Sequence, residues 1–586
     1  MPPSAEACRG RRRNATPGLA ALLALLAACA EPPSAPGPPA SHPDLVAHGA
    51  ELARGVVEVT AGVHVAIGYG LANSILIEGT DGVVIVDTME SAEAARPVKA
   101  AFDAITTKPV RAIVYTHNHA DHVLGAAVLA GDDAPEVWSH ASTLAELDRV
   151  LHVVRPVLYR RAMRQFGVYL PAGERLNCGI GPRLLTDEHT TPALLRPTHT
   201  FEGARTELEI AGIRLVLQHA PGETPDQIFV WLPDRGVLLP GDNFYKSFPN
   251  LYAIRGTAYR DVLGWVASLD AMRALGPAHL VPSHTRPISG VNDVLVALTD
   301  YRDAIQLVHD QTVRAMNEGL EPDQIVQRVR LPAHLAAKPY LHEYYGRVDW
   351  SVRAVFDGYL GWFGGNAAEL APVDRRARAA AMADLAGGAA ALRAKAEAAA
   401  AAGDHQWALV LADHLLALDA ADGDARALRT AALRALAATQ VSANARNYYL
   451  TQARETEGTL VLTTPDLARV PPAMLAAMPV GQLMRAMPVA LDAERSQDVF
   501  MVAGFRFPDV GEAYTVHVRG GVAEVQSVFP SEPDLTVTVD AAVWKEIAAG
   551  HRSALAALVK GDLQVSGGRL ALTRLLGLFG TATETE

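Results

Sequence analysis

The sequence predicts an α/β domain, then a helical region, then a small α+β domain. Strand-like apolar runs alternate with helical patterns over 50–295, the pattern becomes helical over 296–457, and strand-like alternation returns over 468–586. A chain of 586 residues is also too long for one hydrophobic core. Three folded domains behind a separate N-terminal segment are therefore expected.

The composition excludes one class of partner. The chain is 49% hydrophobic and 20% charged, which is typical of a globular protein, and its formal net charge is -12. A surface that binds nucleic acid needs a basic patch, and no basic tract occurs after the N-terminal region. We therefore expect no nucleic-acid partner.

Residues 1–28 are predicted to form a signal peptide. An arginine-rich cluster at 9–13 precedes the apolar segment 19–28, which is too short for a permanent membrane span. The end of that segment, Leu-Ala-Ala-Cys29, resembles the lipobox of bacterial lipoproteins, and a Pro-rich tether over 29–49 follows. The resemblance implies that Cys29 is lipidated and that the protein is exported to the periplasm and meets a membrane only through this anchor. Ala30 favours the outer membrane, and an ordinary cleavage site with an incidental cysteine is the alternative.

The elements of the α/β domain are predicted from apolar runs and turns. Runs at 74–77 and 83–86 flank a glycine-containing turn and predict a hairpin. A helix over 91–105 then leads to a strand at 112–115. The later predicted strands are 213–218, 228–232, 237–239 and 279–281. Side chains able to bind metal mostly lie just beyond these strands, which is where α/β folds place their chemistry.

The rest of the chain is predicted in less detail. The segment 404–418 has apolar residues at helical spacing, and the Ala-rich segment 378–402 has high helix propensity. Helix pairs resembling a tetratricopeptide unit are expected, although two helices do not make a repeat array. A linker over 465–472 leads to a helix, then to strands at 514–518, 523–528 and 535–539, then to further helices.

A dense set of metal-binding side chains follows the strand at 112–115. His117, His119, Asp121 and His122 lie within six residues, and imidazole and carboxylate are ligands that zinc accepts. Neighbouring residues of a loop that leaves a strand point to two sides, so one segment can serve two ions about 3.5–4 Å apart. A polar loop without a metal role would need four ligand-type residues to coincide here.

This spacing resembles the His-x-His-x-Asp-His signature of the metallo-β-lactamase-fold hydrolases. The resemblance implies an αββα sandwich and further ligands downstream. The element Gly-Glu-Thr-Pro at 222–225 resembles the Gly-His-Thr-Pro element of the family, with Glu223 in place of a histidine, and His219 is the alternative ligand if the loop is shifted. Asp242 stands where a carboxylate bridges the metals in the family, and His284 where the last histidine lies.

Glu223 and the segment 250–256 make the chain similar to the alkylsulfatases of this superfamily. Those enzymes carry a helical dimerisation domain, which the segment 345–366 resembles. Their C-terminal domain resembles sterol carrier protein type 2, to which 478–483 and 558–568 are more loosely similar. The resemblance implies a homodimeric hydrolase that cleaves alkyl sulfate esters, such as dodecyl sulfate, to alcohol and sulfate with a metal-activated water. Where those enzymes have glutamate this chain has Asp242, which can still bridge two metals with one methylene less reach.

The resemblance implies two zinc ions. One is assigned to His117, His119 and Glu223 and the other to Asp121, His122 and His284, with Asp242 shared. Asp87 matches an early aspartate that orients the ligands from outside the metal's own ligand shell.

Catalytic and substrate-binding roles are also predicted. Asp121 and Arg255 are the predicted catalytic residues. The negative charge of Glu223 favours a nearby cation, for which Arg255 is the candidate, and its guanidinium is also predicted to bind the sulfate ester bidentately. A structural salt bridge is the alternative role for Arg255. Thr190 and Thr191 are predicted to line the substrate pocket.

Two other functions stay open at this point. A hydrolase of the same fold could act on another ester, a lactone, a β-lactam or a phosphodiester, although simple enzymes of that kind need no accessory domains. A lipid-binding protein with a vestigial metal site is the other alternative, and the intact ligand set argues against it.

Overall fold

The computed structural model describes residues 40–152, 154–463, 475–476 and 478–579. The predicted signal peptide, Cys29 and the linker 465–472 lie outside these residues, so lipidation stays a prediction. Part of the predicted tether is helical instead, because α1 (Pro43–His48) buries Leu45, whose carbonyl accepts a hydrogen bond from Asn177. Within the described ranges, no helix combines the length and the hydropathy that a membrane span requires.

Seven strands form the first sheet, in chain order. Strands β1 to β4 run antiparallel to their neighbours, whereas β4 to β7 run parallel. The strands are β1 (Gly55–Thr60), β2 (Val63–Ile67), β3 (Ser74–Glu78), β4 (Val83–Val86), β5 (Val110–Val114), β6 (Glu136–His140) and β7 (His199–Phe201). The predicted hairpin is the antiparallel pair of β3 and β4.

Six strands form the second sheet, in the order β13-β12-β11-β10-β9-β8. Only β11 and β12 pair in parallel. The strands are β8 (Arg205–Ile210), β9 (Ile213–His219), β10 (Ile228–Leu232), β11 (Val237–Leu239), β12 (His279–Leu280) and β13 (Ile288–Ser289).

The two sheets pack face to face with helices on both outer faces. Side chains such as Val84 and Val230 meet in the core between the sheets. Val98 packs on the outer face of the first sheet, and Trp265 and Leu298 pack on the outer face of the second. The helices here are α2 (Ala92–Asp103), α3 (Ala120–Val123), α4 (Ala126–Ala130), α5 (Ser142–His152), α6 (Arg155–Phe166), α7 (Val262–Ala274) and α8 (Val291–Asn317). The αββα sandwich expected from the resemblance is confirmed.

A helical region follows. The predicted domain boundary at 295/296 falls inside α8, whose apolar face packs on the sandwich. The predicted helix over 378–402 is two helices, because Gly387 and Gly388 take positive φ angles of 97° and 108° between them. The helices are α9 (Pro322–Arg328), α10 (Ala333–Ala336), α11 (Val348–Leu360), α12 (Arg375–Ala386), α13 (Ala389–Ala401), α14 (His405–Leu418), α15 (Gly423–Ala438) and α16 (Ala443–Glu457).

The last region is a five-stranded sheet with helices, as expected for a small α+β domain. The sheet order is β16-β15-β14-β17-β18, so the unpredicted strand β14 lies at its centre. Its strands are β14 (Phe500–Phe507), β15 (Glu512–Arg519), β16 (Val522–Gln526), β17 (Leu535–Val539) and β18 (Leu563–Ser566). Its described helices are α17 (Val480–Ala486), α18 (Ala541–Ala548), α19 (Ala554–Lys560) and α20 (Arg569–Leu578).

Candidate metal centre

The predicted metal ligands converge at one edge of the sandwich because each follows a strand. The loop from His117 to His122 leaves β5, Glu223 lies between β9 and β10, Asp242 follows β11, and His284 follows β12. The carboxyl ends of the parallel strands β4 and β5, and of β11 and β12, meet at the same edge. Residues up to 167 positions apart in the chain thereby share one site.

Two groups of ligand atoms form there. In each of the groups His117, His119, Asp242 and Asp121, His122, His284, the ligand atoms lie within 4.8 Å of one another. Asp242 reaches both groups, since its Oδ2 lies 3.2 Å from His284 Nε2, 3.5 Å from His122 Nε2 and 3.8 Å from His117 Nε2. This position suits the predicted shared carboxylate.

The side chains present fit metal ions. His122 Nε2, His284 Nε2, Asp242 Oδ1 and Glu223 Oε2 are buried, and none of them finds a hydrogen-bond partner within the described part of the chain. A buried polar atom without a partner is costly, and all four carry lone pairs that can coordinate a cation. Divalent cations bound by these imidazole and carboxylate groups would satisfy them.

Three of the four histidines are oriented from behind. The Nδ1 atoms of His117, His122 and His284 contact Thr116 Oγ1 at 3.0 Å, Asp87 Oδ2 at 2.8 Å and the Leu71 carbonyl at 2.8 Å. Each ring therefore turns Nε2 toward the centre. Such contacts fix the tautomer and the ring orientation of a metal ligand.

His119 has the opposite orientation. Its Nδ1 lies 2.8 Å from His117 Nε2, while its Nε2 lies 2.9 Å from Arg255 Nη2. The fourth histidine therefore offers Nδ1 to the centre and meets a guanidinium, not a protein acceptor, on its other side.

Asp87 joins three of the segments that build the site. Its carboxylate accepts hydrogen bonds from the Thr116 amide and hydroxyl at 2.9 Å each, from Ser283 Oγ at 2.6 Å and from His122 Nδ1 at 2.8 Å. Its φ angle of 59° is in the left-handed region, which aspartate tolerates better than most residues. This position suits the orienting role that the resemblance implies for Asp87.

The group around Asp121 is rich in negative charge. Burial disfavours the protonated form of His122, but the carboxylates of Asp242, Asp87 and Asp121 outweigh this effect and raise the pKa of His122. At Asp242 and Asp121, burial favours the neutral carboxyl group, but the neighbouring histidines outweigh this effect. They hold the pKa of Asp242 well below its usual range and lower the pKa of Asp121 to about 2.

The group around His119 has positive neighbours. Burial and the neighbouring His122 lower the pKa of His117. Burial, His117 and Arg255 lower the pKa of His119. Burial raises the pKa of Glu223 to about 7, although Arg260 opposes the shift. The two groups of ligands therefore differ in their electrostatic surroundings.

Arg260 was missed by the sequence analysis. Its Nη1 lies 2.9 Å from Glu223 Oε1, and both side chains are 2% exposed. The cation predicted beside Glu223 is therefore Arg260, whereas Arg255 contacts His119. The available signal was a second arginine five residues after Arg255, but sequence alone does not say which of the two faces the carboxylate.

Three further candidates lie around the centre. His219 does not join the site, because its ring stacks on His140 at 4.0 Å between centroids and its Nε2 donates to the Pro225 carbonyl. Thr190 lines the cavity described below. Thr191 is exposed, and its amide donates to Glu93 Oε2 at 2.7 Å. Of the two threonines predicted to line the pocket, only Thr190 contributes to the wall of this cavity.

A cavity of about 790 Å³ opens onto the metal centre. His119, Asp121, Glu223 and Asp242 contribute to its wall, together with Arg255 and Arg260. Apolar side chains form much of the remaining wall, among them Leu158, Met163, Phe166, Ile180 and, from the C-terminal region, Met478. The cavity thus combines an ionic part with an apolar part.

Family comparisons agree with this architecture. The metallo-beta-lactamase superfamily model matches residues 67–284, the alkyl sulfatase dimerisation model matches residues 321–459, and the alkyl sulfatase C-terminal model matches residues 468–585. The three matches follow the sandwich, the helical region and the small α+β domain in order.

Individual relatives cover most of the chain. A linear primary-alkylsulfatase of Pseudomonas sp. (strain ATCC 19151) is 38% identical over 86% of this chain and 98% of its own length. An (R)-specific secondary-alkylsulfatase of Pseudomonas sp. is 30% identical over 90% of this chain and 80% of its own. The solved structure of a stereoselective inverting sec-alkylsulfatase from Pseudomonas sp. superposes with a TM-score of 0.86 at 28% identity, covering 93% of this chain and 87% of that one. The chain therefore belongs to the alkylsulfatases of the metallo-β-lactamase superfamily.

Proposed function

We propose that this chain hydrolyses alkyl sulfate esters, such as dodecyl sulfate, to an alcohol and sulfate. The observation that carries the proposal is that Arg255 and Arg260 lie beside the metal ligands in a cavity that also has an extensive apolar wall. An amphiphile with an anionic head and an alkyl tail matches both parts of that cavity. Its relatives named as alkylsulfatases support the same substrate class.

The two arginines suit a sulfate head group. Burial lowers the pKa of Arg255, and Arg260 lowers it further, yet a guanidinium stays charged at neutral pH. Arg260 Nε and Nη2 are buried and have no acceptor among the residues that the structure describes. Planar guanidinium N–H groups match the oxygens of a sulfate ester in a bidentate manner.

The apolar wall suits the alkyl chain. A volume of about 790 Å³ falls in the range of small-molecule sites. Leu158, Met163 and Phe166 come from α6, and Met478 comes from the C-terminal region. That region then has a role in catalysis, because it supplies part of the wall that shields the tail from water.

We propose that two zinc ions occupy the centre. His117, His119 and Glu223 would hold one and Asp121, His122 and His284 the other, with Asp242 shared. Bound zinc supplies a Lewis acid and lowers the pKa of a coordinated water to about 7. Asp121 has a pKa near 2, lies in the cavity wall and therefore stays ionised, so it can accept a hydrogen bond from a water molecule there.

The test is turnover of dodecyl sulfate beside a chromogenic lactone, with the metal content measured. We expect turnover of the sulfate ester only. Arg255→Ala is expected to depress this turnover by about 10²-fold, since it removes charge-assisted bonds to the head group, with zinc content unchanged. Loss of zinc in this variant would give Arg255 a structural role, and turnover of the lactone alone would refute the proposed substrate.

We further propose that the protein is a homodimer joined through the segment 359–373. Five large apolar side chains there, Tyr359, Leu360, Trp362, Leu370 and Val373, are between 51% and 74% exposed. Such a concentration of exposed apolar surface marks an interaction site. The segment lies within the match to the alkyl sulfatase dimerisation model, so a second copy of this chain is the proposed occupant.

Sedimentation analysis tests the dimer. Trp362 is 74% exposed, and we expect Trp362→Asp to weaken dimerisation by about 30-fold or more, as buried tryptophans do in protein interfaces. Phe500→Asp is the matched control, because Phe500 is 75% exposed but lies outside the dimerisation match. An unchanged dimer in Trp362→Asp, or an equal effect in the control, would contradict the proposed interface.

A further inference from the structure

Arg255 lies in a tight turn whose backbone faces helix α6. The amide of Gly256 donates to the carbonyl of Ala253 at 2.8 Å, which closes the turn around Ile254 and Arg255. Gly256 has a φ angle of 108°, and a Cβ there would lie 3.1 Å from Leu158 of α6. A glycine at this position therefore allows the turn to lie directly against the helix.

Two side chains of α6 bind the backbone of this turn. Arg161 Nε donates to the Arg255 carbonyl at 2.9 Å, and Arg161 Nη2 donates to the Ile254 carbonyl at 2.6 Å. The Arg255 amide donates to Gln165 Oε1 at 2.9 Å. Arg161 and Gln165 are four residues apart, so they lie on one face of the helix.

These contacts take up the polar groups of the central peptide units. A buried backbone N–H or C=O without a partner is costly, so the turn has a strong preference for the arrangement that satisfies all three. Gln165 is fully buried, and its acceptor is therefore not replaced by water. The path of the backbone on both sides of the Arg255 Cα is fixed by α6.

Helix α6 is itself held from behind. Arg164 donates to both carboxylate oxygens of Glu455 on α16, at 2.9 Å and 2.8 Å. The helix therefore lies between the helical region and the turn, with Leu158 and Met163 in the cavity wall. A bidentate pair of this kind resists rotation of the helix.

We propose that Arg161 and Gln165 are positioning residues for Arg255, which set the reach of its guanidinium toward the anionic head group. This inference rests on the proposed function, because it assigns the same head group to Arg255. Neither residue needs to touch the substrate. A displacement of the turn by a fraction of an ångström would misplace the guanidinium at the far end of a long side chain.

Binding of inorganic sulfate to the zinc-loaded protein, measured by calorimetry, tests the inference beside the kinetics of dodecyl sulfate. We expect Arg161→Met and Gln165→Met each to weaken sulfate binding and raise KM by about 10-fold, with zinc content unchanged and kcat within about 3-fold. Arg161→Lys keeps a donor and is expected to be intermediate. Arg160→Met is the matched control, since it removes the same charge from the neighbouring position of α6, and it should bind sulfate like the wild type.

A double-mutant cycle separates positioning from a general structural role. In an Arg255→Met background, Arg161→Met should have no further effect on sulfate affinity, because the group that it positions is gone. A full additional loss there, or wild-type affinity in both Arg161→Met and Gln165→Met, would overturn the inference. If one variant fails to fold, the other still decides. A wild-type protein that neither binds sulfate nor turns over dodecyl sulfate would instead refute the proposed function.

Discussion

The two halves of the metal centre are built in different ways. Around Asp121, His122 and His284 the neighbouring charges are carboxylates, and both histidines are anchored from behind by Asp87 or by the Leu71 carbonyl. Around His117, His119 and Glu223 the neighbours are Arg255 and Arg260, and His119 has a guanidinium behind it. The carboxylates of the first half attract a cation, whereas in the second half the two arginines already offset negative charge.

This difference gives the site a direction. A metal in the half around Asp121 is surrounded by protein carboxylates that favour it. In the other half the arginines offset part of the negative charge of Glu223 and leave N–H groups that an anion can use. An anionic substrate should therefore approach from the arginine side of the centre.

Asp242 belongs to both halves, so removing it should have the largest effect. We expect Asp242→Ala to lower kcat/KM by at least about 10⁴-fold, roughly 5 kcal/mol of transition-state stabilisation, because both of the proposed ions would lose a ligand. Metal analysis should show fewer than two ions per chain. Asp242→Glu keeps the carboxylate and is expected to retain both ions. An Asp242→Ala protein with two ions and near-normal turnover would contradict the shared role.

Substitutions of Arg260 and of Arg255 should differ in their effect on the stability of the protein. Arg260→Met leaves the Glu223 carboxylate buried without its partner, which should lower the free energy of unfolding of the metal-free protein by about 3–5 kcal/mol. Zinc should restore much of this loss, since it also compensates the carboxylate. Arg255→Met is the matched control, and denaturant unfolding should show a much smaller change. Equal losses in the two variants would remove the distinction between them.

Asp87 tests the half around Asp121 with a smaller change. Asp87→Asn keeps a residue that tolerates the left-handed backbone but removes the charge behind His122. We expect metal affinity to fall by about 10–100-fold, as is usual when a partner of a metal-binding histidine is lost. A competition titration with a chromophoric chelator measures this. If the ion around His117 weakens as much as the ion around His122, Asp87 does not act through His122 alone.

The sequence predicted the elements that are apolar throughout. Strands β4, β10 and β11 are fully or almost fully buried, and their bounds match the predicted runs 83–86, 228–232 and 237–239. Ligands that follow such strands could be placed because a strand end fixes where a loop begins. The αββα sandwich was predicted from a resemblance and not from the pattern itself.

Elements with an unusual residue at a packing position were missed. Gly504 interrupts the pattern of β14 and is typical of a break, but a Cβ there would come within 2.7 Å of the Phe529 ring. Conversely, the high helix propensity of the alanines over 378–402 hid the end of α12 at Gly387. The orientation of Arg260 depends on a loop path that the local sequence pattern does not encode, so its pairing with Glu223 is visible only in the folded structure.

The four hydrogen bonds of Asp87 bear on whether the ligand loop could be grafted onto another protein. Residues 116–122 contain four of the seven predicted ligands, yet His122 is oriented by a carboxylate 35 positions away, and Ser283, on the strand-end loop beside His284, binds that carboxylate too. A designer who grafted the loop alone would transfer the ligands without their anchors. A transferable unit of this metal centre is therefore the closed pair of sheets, and the short motif serves better as a means of recognising the site than as a means of rebuilding it.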